Sequence, residues 1–300
     1  MNSYASSHPT QHPSTIPADD KQFQLEKAAK IVENVDELAV LPHVVFKVLE
    51  LSGSSDNPAG DLEDAITIDP SFSAKLLAHA NSSFYALSRK VTSVRDALVY
   101  LGFREVREMA MTVGVFDMFV GKNDKESLRR RTWWRQSLDA AIACRYVAQV
   151  TRRLEPAEAY TCGLLHCLGK TLLDRFGKAD YGLVEQRVAI GATEIASERR
   201  IYGCDNETVA LLAGRKWGLS AQMVASFQYS EKPERADDFP EYRACVAIGN
   251  MIARLALAGS NDLSMLPDWA VEELQIHPDA LQSLYDGAIE NISAATGMHF

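Results

Sequence analysis

A chain of 300 residues with 47% apolar content can bury the core of one large domain or two smaller ones, and a net charge of −9 argues against broad attraction to nucleic acid or anionic lipid. Five cysteines (Cys144, Cys162, Cys167, Cys204, Cys245) form neither a CxxC pair nor a dense disulfide framework, which points to a reducing, cytoplasmic setting. No window approaches the ~18 consecutive apolar residues of a spanning helix, so no membrane role is expected.

Residues 1–21 open with MNSYASSHPTQHPSTIPADD, rich in Ser, Thr and Pro, and read as a disordered tail. From residue 22 onward apolar residues recur every three or four positions, while the period-2 alternation of strands is hard to find, so the fold should be all-α. Leu38, Leu41, Val45, Val48 and Leu49 give one helical face; Val94, Leu98 and Leu101 a second; Phe103, Val106, Ala110, Val113 and Phe116 a third. Asp69-Pro70 and Ser93 with Asp96 mark helix starts near 70 and 94, and Gly102 marks a stop.

The loop SGSSDNPAG (52–60) separates helices, and the polar stretch 121–131 reads as a linker between a first helical subdomain, 22–120, and a second, 132–260. The second opens with a helix over about 132–151. After GLLHCLGKTLL come helices near 194–202, 206–217, 220–229 and 239–258, the last two separated by the connection 230–240, and a C-terminal helical extension, 261–300, carries one more after Pro278.

Five short stretches then carry a resemblance. LPHVVFKVLEL followed by AITIDPSFSAKLLAHANSSFYALSRKVTSVRDALVYLGFREVREMAM resembles the HDOD domain, a bacterial signalling module related in sequence and helical fold to the HD metal phosphohydrolases. Asp69-Pro70, Leu76-Leu77, Asn81-Ser82, Ala97 and Leu101-Gly102 carry it most specifically, and the likeness spans about residues 30–255. The resemblance implies two packed helical subdomains, the second like the HD phosphohydrolase fold. It also implies where metal ligands would stand. Gln136 falls at the first metal histidine, His166 and Cys167 at the His-Asp signature, Asn206 at a further histidine, Tyr229-Ser230 at a His-His pair, and Asn250 at the last aspartate.

A divalent ion that activates water needs several converging donors, anionic oxygens or neutral imidazoles. Only His166 survives here, so no metal, no other cofactor and no catalytic residue is expected. A thiolate–imidazole zinc site at His166 and Cys167 is disfavoured, because adjacent helical residues point about 100° apart.

Arg129, Arg130, Arg131 and Arg135 beside Trp133 and Trp134 form a candidate partner-binding patch, since arginine forks beside aromatic faces suit a phosphate or an acidic partner. Residues 96–111 also admit a helix-turn-helix reading, although Glu105 and Glu108 sit poorly beside phosphates. His79 with Ser82 and Ser83 reads as packing and local hydrogen bonding, and no GxSxG or P-loop is present. The expectation is a non-catalytic signal-transduction module acting through protein contacts. Its partner would be a histidine kinase, a response regulator or a cyclic-dinucleotide enzyme; a homodimer is left open. The alternatives are a DNA-binding regulator and a residual metal-dependent phosphohydrolase.

Overall fold

A computed structural model describes residues 21–35, 43–51, 58–82, 85, 87–119, 124–234 and 237–295, and every regular element among them is helical. The expected tail over residues 1–20, together with Leu38, Leu41 and Ser83, lies outside the described residues, whereas Lys21 already opens a helix. The first six helices are α1 (Lys21–Glu33), α2 (His43–Leu51), α3 (Pro58–Thr67), α4 (Pro70–Ala80), α5 (Val94–Leu101) and α6 (Phe103–Phe116). Helix α3 thus begins inside the expected loop 52–60.

Helices α2–α6 pack into a first lobe. The Asp69 carboxylate accepts from the backbone N–H groups of Ser71 and Phe72 and caps α4, while Ser93 accepts from Asp96 N and caps α5. Each cap contributes about 1 kcal/mol. Asn81 fastens the crossing between them: its Nδ2 donates to Leu77 O and Val91 O, both at 2.8 Å, and its Oδ1 accepts from Val91 N at 2.9 Å. Gly102, at φ +85°, takes a turn that a side chain would strain, and α6 follows at a new angle. Helix α6 is buried continuously from Val106 to Val115. Only Arg104, in its first turn, is exposed, so burial argues against the helix-turn-helix reading.

The second lobe holds α7 (Asp124–Thr151), α8 (Pro156–Leu165), α9 (Leu168–Phe176), α10 (Gly182–Ala189), α11 (Glu194–Tyr202), α12 (Asn206–Lys216), α13 (Ala221–Ser226) and α14 (Pro240–Ala258), followed by α15 (Asp268–Glu273) and α16 (Leu281–Ala294). Helix α7 is its mast, flanked by α8, α14 and α16. It starts at Asp124, so most of the stretch expected as a linker is its first two turns. The charge run 121–131 hid this start, because the arginines that looked solvated are partly enclosed by α9 and α10.

Helix α1 also departs from the expected division, packing on α9 and α12 rather than on the first lobe. Lys216 Nζ donates to Val32 O in the last turn of α1 and to Val35 O just beyond it, both at 3.1 Å. The two lobes share one apolar core. Phe46 of α2 meets Trp217 edge-on at 6.1 Å, and the Thr112 and Tyr160 hydroxyls share a buried hydrogen bond of 2.8 Å.

Candidate functional site

His166 and Cys167 occupy the short turn between α8 and α9. The 100° argument assumed a continuous helix; at this turn the two side chains instead converge, Cys167 Sγ standing 3.1 Å from His166 Nε2. His166 Nδ1 lies 2.7 Å from the Gly163 carbonyl, which can only accept, so Nδ1 carries the proton and Nε2 accepts from the thiol. Burial holds His166 at about 4 and raises Cys167 above the ordinary thiol range, which keeps both neutral. Tyr229 stacks edge-on against the imidazole at 5.7 Å.

A polar layer surrounds this pair. Gln136 Nε2 donates to Asn250 Oδ1 at 2.6 Å, joining α7 to α14. Lys170, one turn into α9, is buried and pairs with Glu194 Oε2 at 2.7 Å. Burial works against its charge, but the Glu194 carboxylate outweighs it and keeps Lys170 protonated; Lys170 in turn outweighs burial at Glu194 and lowers that carboxyl. The Tyr181 hydroxyl lies against Glu198 Oε1 and 3.1 Å from Glu194 Oε1. Glu198 Oε2 accepts from Asn206 N at 2.8 Å and Asn206 Nδ2 at 2.7 Å. Glu207 Oε1 accepts from Ser230 N at 2.9 Å, and burial, then the nearby Asp205 charge, pushes Glu207 up to about 8.

The residues that the resemblance places at metal positions do not fit a divalent ion. The single imidazole has both nitrogens engaged, Gln136 Nε2 is committed to Asn250 Oδ1, and Lys170 already supplies a positive charge within the same layer. Thus Gln136, His166, Cys167, Asn206, Tyr229 and Asn250 are assembled around one layer, with Ser230 joined to it through its backbone. Over part of this layer opens a cavity of about 210 Å³ whose wall includes Glu194, Asn206, Tyr229, Asn250 and Arg254. Sequence reasoning missed Lys170, Glu194, Glu198 and Glu207. The spacing of Glu194 and Glu198, four apart and on the same face of α11 as the chain packs, was the signal available.

The arginine–tryptophan patch is a correction. Arg129 is buried and holds Asp174 Oδ1 at 2.6 Å and Glu185 Oε1 at 3.0 Å, and Arg130, 1% exposed, holds Asp174 Oδ2 at 2.7 Å. Trp133 packs edge-on to Tyr181 at 4.8 Å, and Trp134 on Phe116 and Phe119 at 5.2 and 5.6 Å. Arg135 pairs with Asp139 at 2.7 Å, which leaves Arg131 as the exposed member. The cluster fails as a docking surface because the acidic partners of its arginines come from α9 and α10 of the same chain.

The HDOD domain sequence profile matches residues 38–233. This chain belongs to the HDOD domain family. The fold agrees: an HDOD domain protein of unknown function from Geobacter sulfurreducens superposes with a TM-score of 0.75 at 23% identity, covering 92% of this chain and 98% of that one. A Shewanella amazonensis protein named as a phosphohydrolase gives 0.66 at 24% identity, over 91% of this chain and 95% of its own. A Marinobacter aquaeolei protein named for signal transduction gives 0.71 at 21%, over 95% of this chain and 67% of that one. An uncharacterized protein of Treponema pallidum is 23% identical over 254 residues; the HDOD chain described here is matched over 80% of its length and spans 46% of that relative. No helix among the described residues is long and apolar enough to cross a membrane.

Proposed function

We propose that this HDOD chain is a non-catalytic bacterial signalling module that works by binding another component of its pathway: a histidine kinase, a response regulator or a cyclic-dinucleotide enzyme. One observation carries the reading. The layer where related hydrolases would hold a metal is closed on itself, with His166 engaged by Gly163 and Cys167, and with the Lys170–Glu194 pair supplying the internal charge. Such a layer orders α7, α9, α11, α12 and α14 against one another and leaves no lone pair on His166 for a Lewis acid. A contact partner, rather than a DNA duplex, suits a chain whose helix-turn-helix candidate is buried from Val106 to Val115.

The test has two arms. Protein purified without chelator is assayed with Mn²⁺ or Mg²⁺ on p-nitrophenyl phosphate and bis(p-nitrophenyl) phosphate; turnover no faster than buffer is expected. Tagged protein is also recovered from its native host, and enrichment of a kinase, receiver or cyclic-dinucleotide enzyme is expected. Metal-dependent turnover lost in His166→Ala would overturn the reading in favour of residual hydrolysis, and recovery of DNA alone would overturn it in favour of gene regulation.

A further inference from the structure

The first lobe carries a groove of about 860 Å³ between α2, α3 and the start of α4. Val44 and Leu51 of α2 and Ala65 of α3 line it and are buried, while Ile68, where α3 passes to α4, is 79% exposed at its rim. An aliphatic side chain left so far in water gains by being covered, and the groove lets one partner cover it together with its neighbours.

The charged part of the lining is largely of one sign. Glu50, Asp61, Asp64 and Asp69 stand against the single cation Lys47, which Glu50 already pairs at 2.8 Å. Asp64 joins no ion pair among the described residues. Such a rim repels nucleic acid and anionic lipid and attracts cations. Residues 1–20, 36–42 and 52–57, outside the described residues, contain neither Lys nor Arg, so these segments of the chain bring the groove no positive charge. The walls also select a shape. Asp61, Asp64, Ala65 and Ile68 recur at i, i+3, i+4 and i+7, and Ile68 N still bonds Asp64 O, so this wall runs about 10 Å, two helical turns. An extended segment laid along it would bury backbone N–H and C=O groups against apolar side chains, whereas a helix satisfies its own.

We propose that this groove docks a basic amphipathic helix of a partner protein, with its apolar face on Ala65 and Ile68 and its Lys or Arg side chains reaching Glu50, Asp61 and Asp64. The proposal rests on the reading of this chain as a module that works by protein contact. It places that contact on the first lobe, whereas the closed polar layer belongs to the second.

The probe is a fluorescein-labelled peptide of about five helical turns, built from Leu and Lys with leucines at i, i+3, i+4 and i+7. The full chain is labelled with ¹³C at its isoleucine δ1 methyls, and the Ile68 signal is assigned by Ile68→Val. The peptide should bind saturably and shift that signal, more weakly as salt is raised. Replacing every Lys of the peptide by Glu, or spreading its leucines around the helix at the same composition, should abolish the shift. Asp64→Lys, an exposed change that should keep the far-UV circular dichroism intact, should weaken binding roughly tenfold, whereas the exposed Glu290→Lys on α16 should leave it unchanged. No saturable binding, binding that leaves Ile68 unmoved, equal binding of the peptide with scattered leucines, or equal losses in the two variants would overturn the proposal. A shift of Ile68 on raising the protein concentration alone would overturn it in favour of a second copy of the chain. Recovery of a kinase or receiver from the host by a chain that ignores the peptide would defeat the groove while the contact reading stood. Metal-dependent hydrolysis would defeat the non-catalytic reading while the peptide titration stood, so the two fail separately.

Discussion

Lys170 illustrates how much a single side chain decides in this fold. Its ammonium is buried against Glu194 at 2.7 Å, and removing it strands a carboxylate beside the polar layer. Lys170→Met should therefore cost about 3 kcal/mol in urea unfolding, and Lys170→Met/Glu194→Leu should recover most of the loss. A double variant no more stable than the single would show that the stranded Glu194 carboxylate is not the source of the loss. His166 makes a pH prediction. The folded chain keeps it neutral down to about 4, whereas an unfolded histidine takes its proton near 6.5, so the unfolded state binds more protons in between. The stability this gives is whole above about pH 6.5 and is lost as pH falls toward 4, a decline of about 3 kcal/mol. His79, also held at about 4 by burial, adds a decline of the same sign. His166→Gln should thus show roughly half the histidine-dependent loss of the wild type, measured as the difference between their stability curves across that window.

Between elements, contact depends on glycines where helices nearly touch. A Cβ on Gly163 would stand 2.8 Å from both Ala140 O and Ala141 Cα, and one on Gly169 would collide with the backbone of Asn206. These glycines set the spacing of α7 against α8 and of α9 against α12, so backbone rather than a flexible side chain would have to move. Gly169→Ala should cost about 1–3 kcal/mol or more, read as a lowered midpoint in urea unfolding, because the turn that carries Asn206 would have to shift. Glu207 ties α12 to the 229–230 segment and titrates with the opposite sign to His166. Its folded pKa, about 8, lies above the unfolded value, so its contribution is full below about pH 4.5 and is lost as pH rises through 8. Glu207→Gln should flatten the fall in stability between about pH 4.5 and 8, and an unchanged slope there would remove Glu207 as its source.

At the scale of the whole chain, what the sequence revealed divides along a physical line. Local signals were legible: Asp69-Pro70 and Ser93 stand at helix starts, Gly102 at a stop, and the apolar period of 3.6 runs through an all-helical fold, because caps and periodicity act over one or two turns. The metal positions were assigned only through family likeness, and what the structure adds is that their side chains share one polar layer. Charge was misleading: Arg129 and Arg130 look solvated in sequence because Asp174 lies more than forty residues away, and only packing brings them together. Lys170 and Glu194 stayed hidden for the same reason. The lobes also share a core that the expected linker would have divided. Trp217 of the second lobe packs on Phe46 of the first, and Trp134 sits beside Phe116 and Phe119 where α6 gives way to α7. Chains of this length commonly unfold through intermediates, so the shared core makes a discriminating prediction. Tryptophan fluorescence, weighted to that junction, and far-UV circular dichroism, weighted to the helices everywhere, should trace one urea transition with the same midpoint. A fluorescence change completed before the helical signal falls would mean that the lobes part first, with the Phe46–Trp217 contact as the seam that opens.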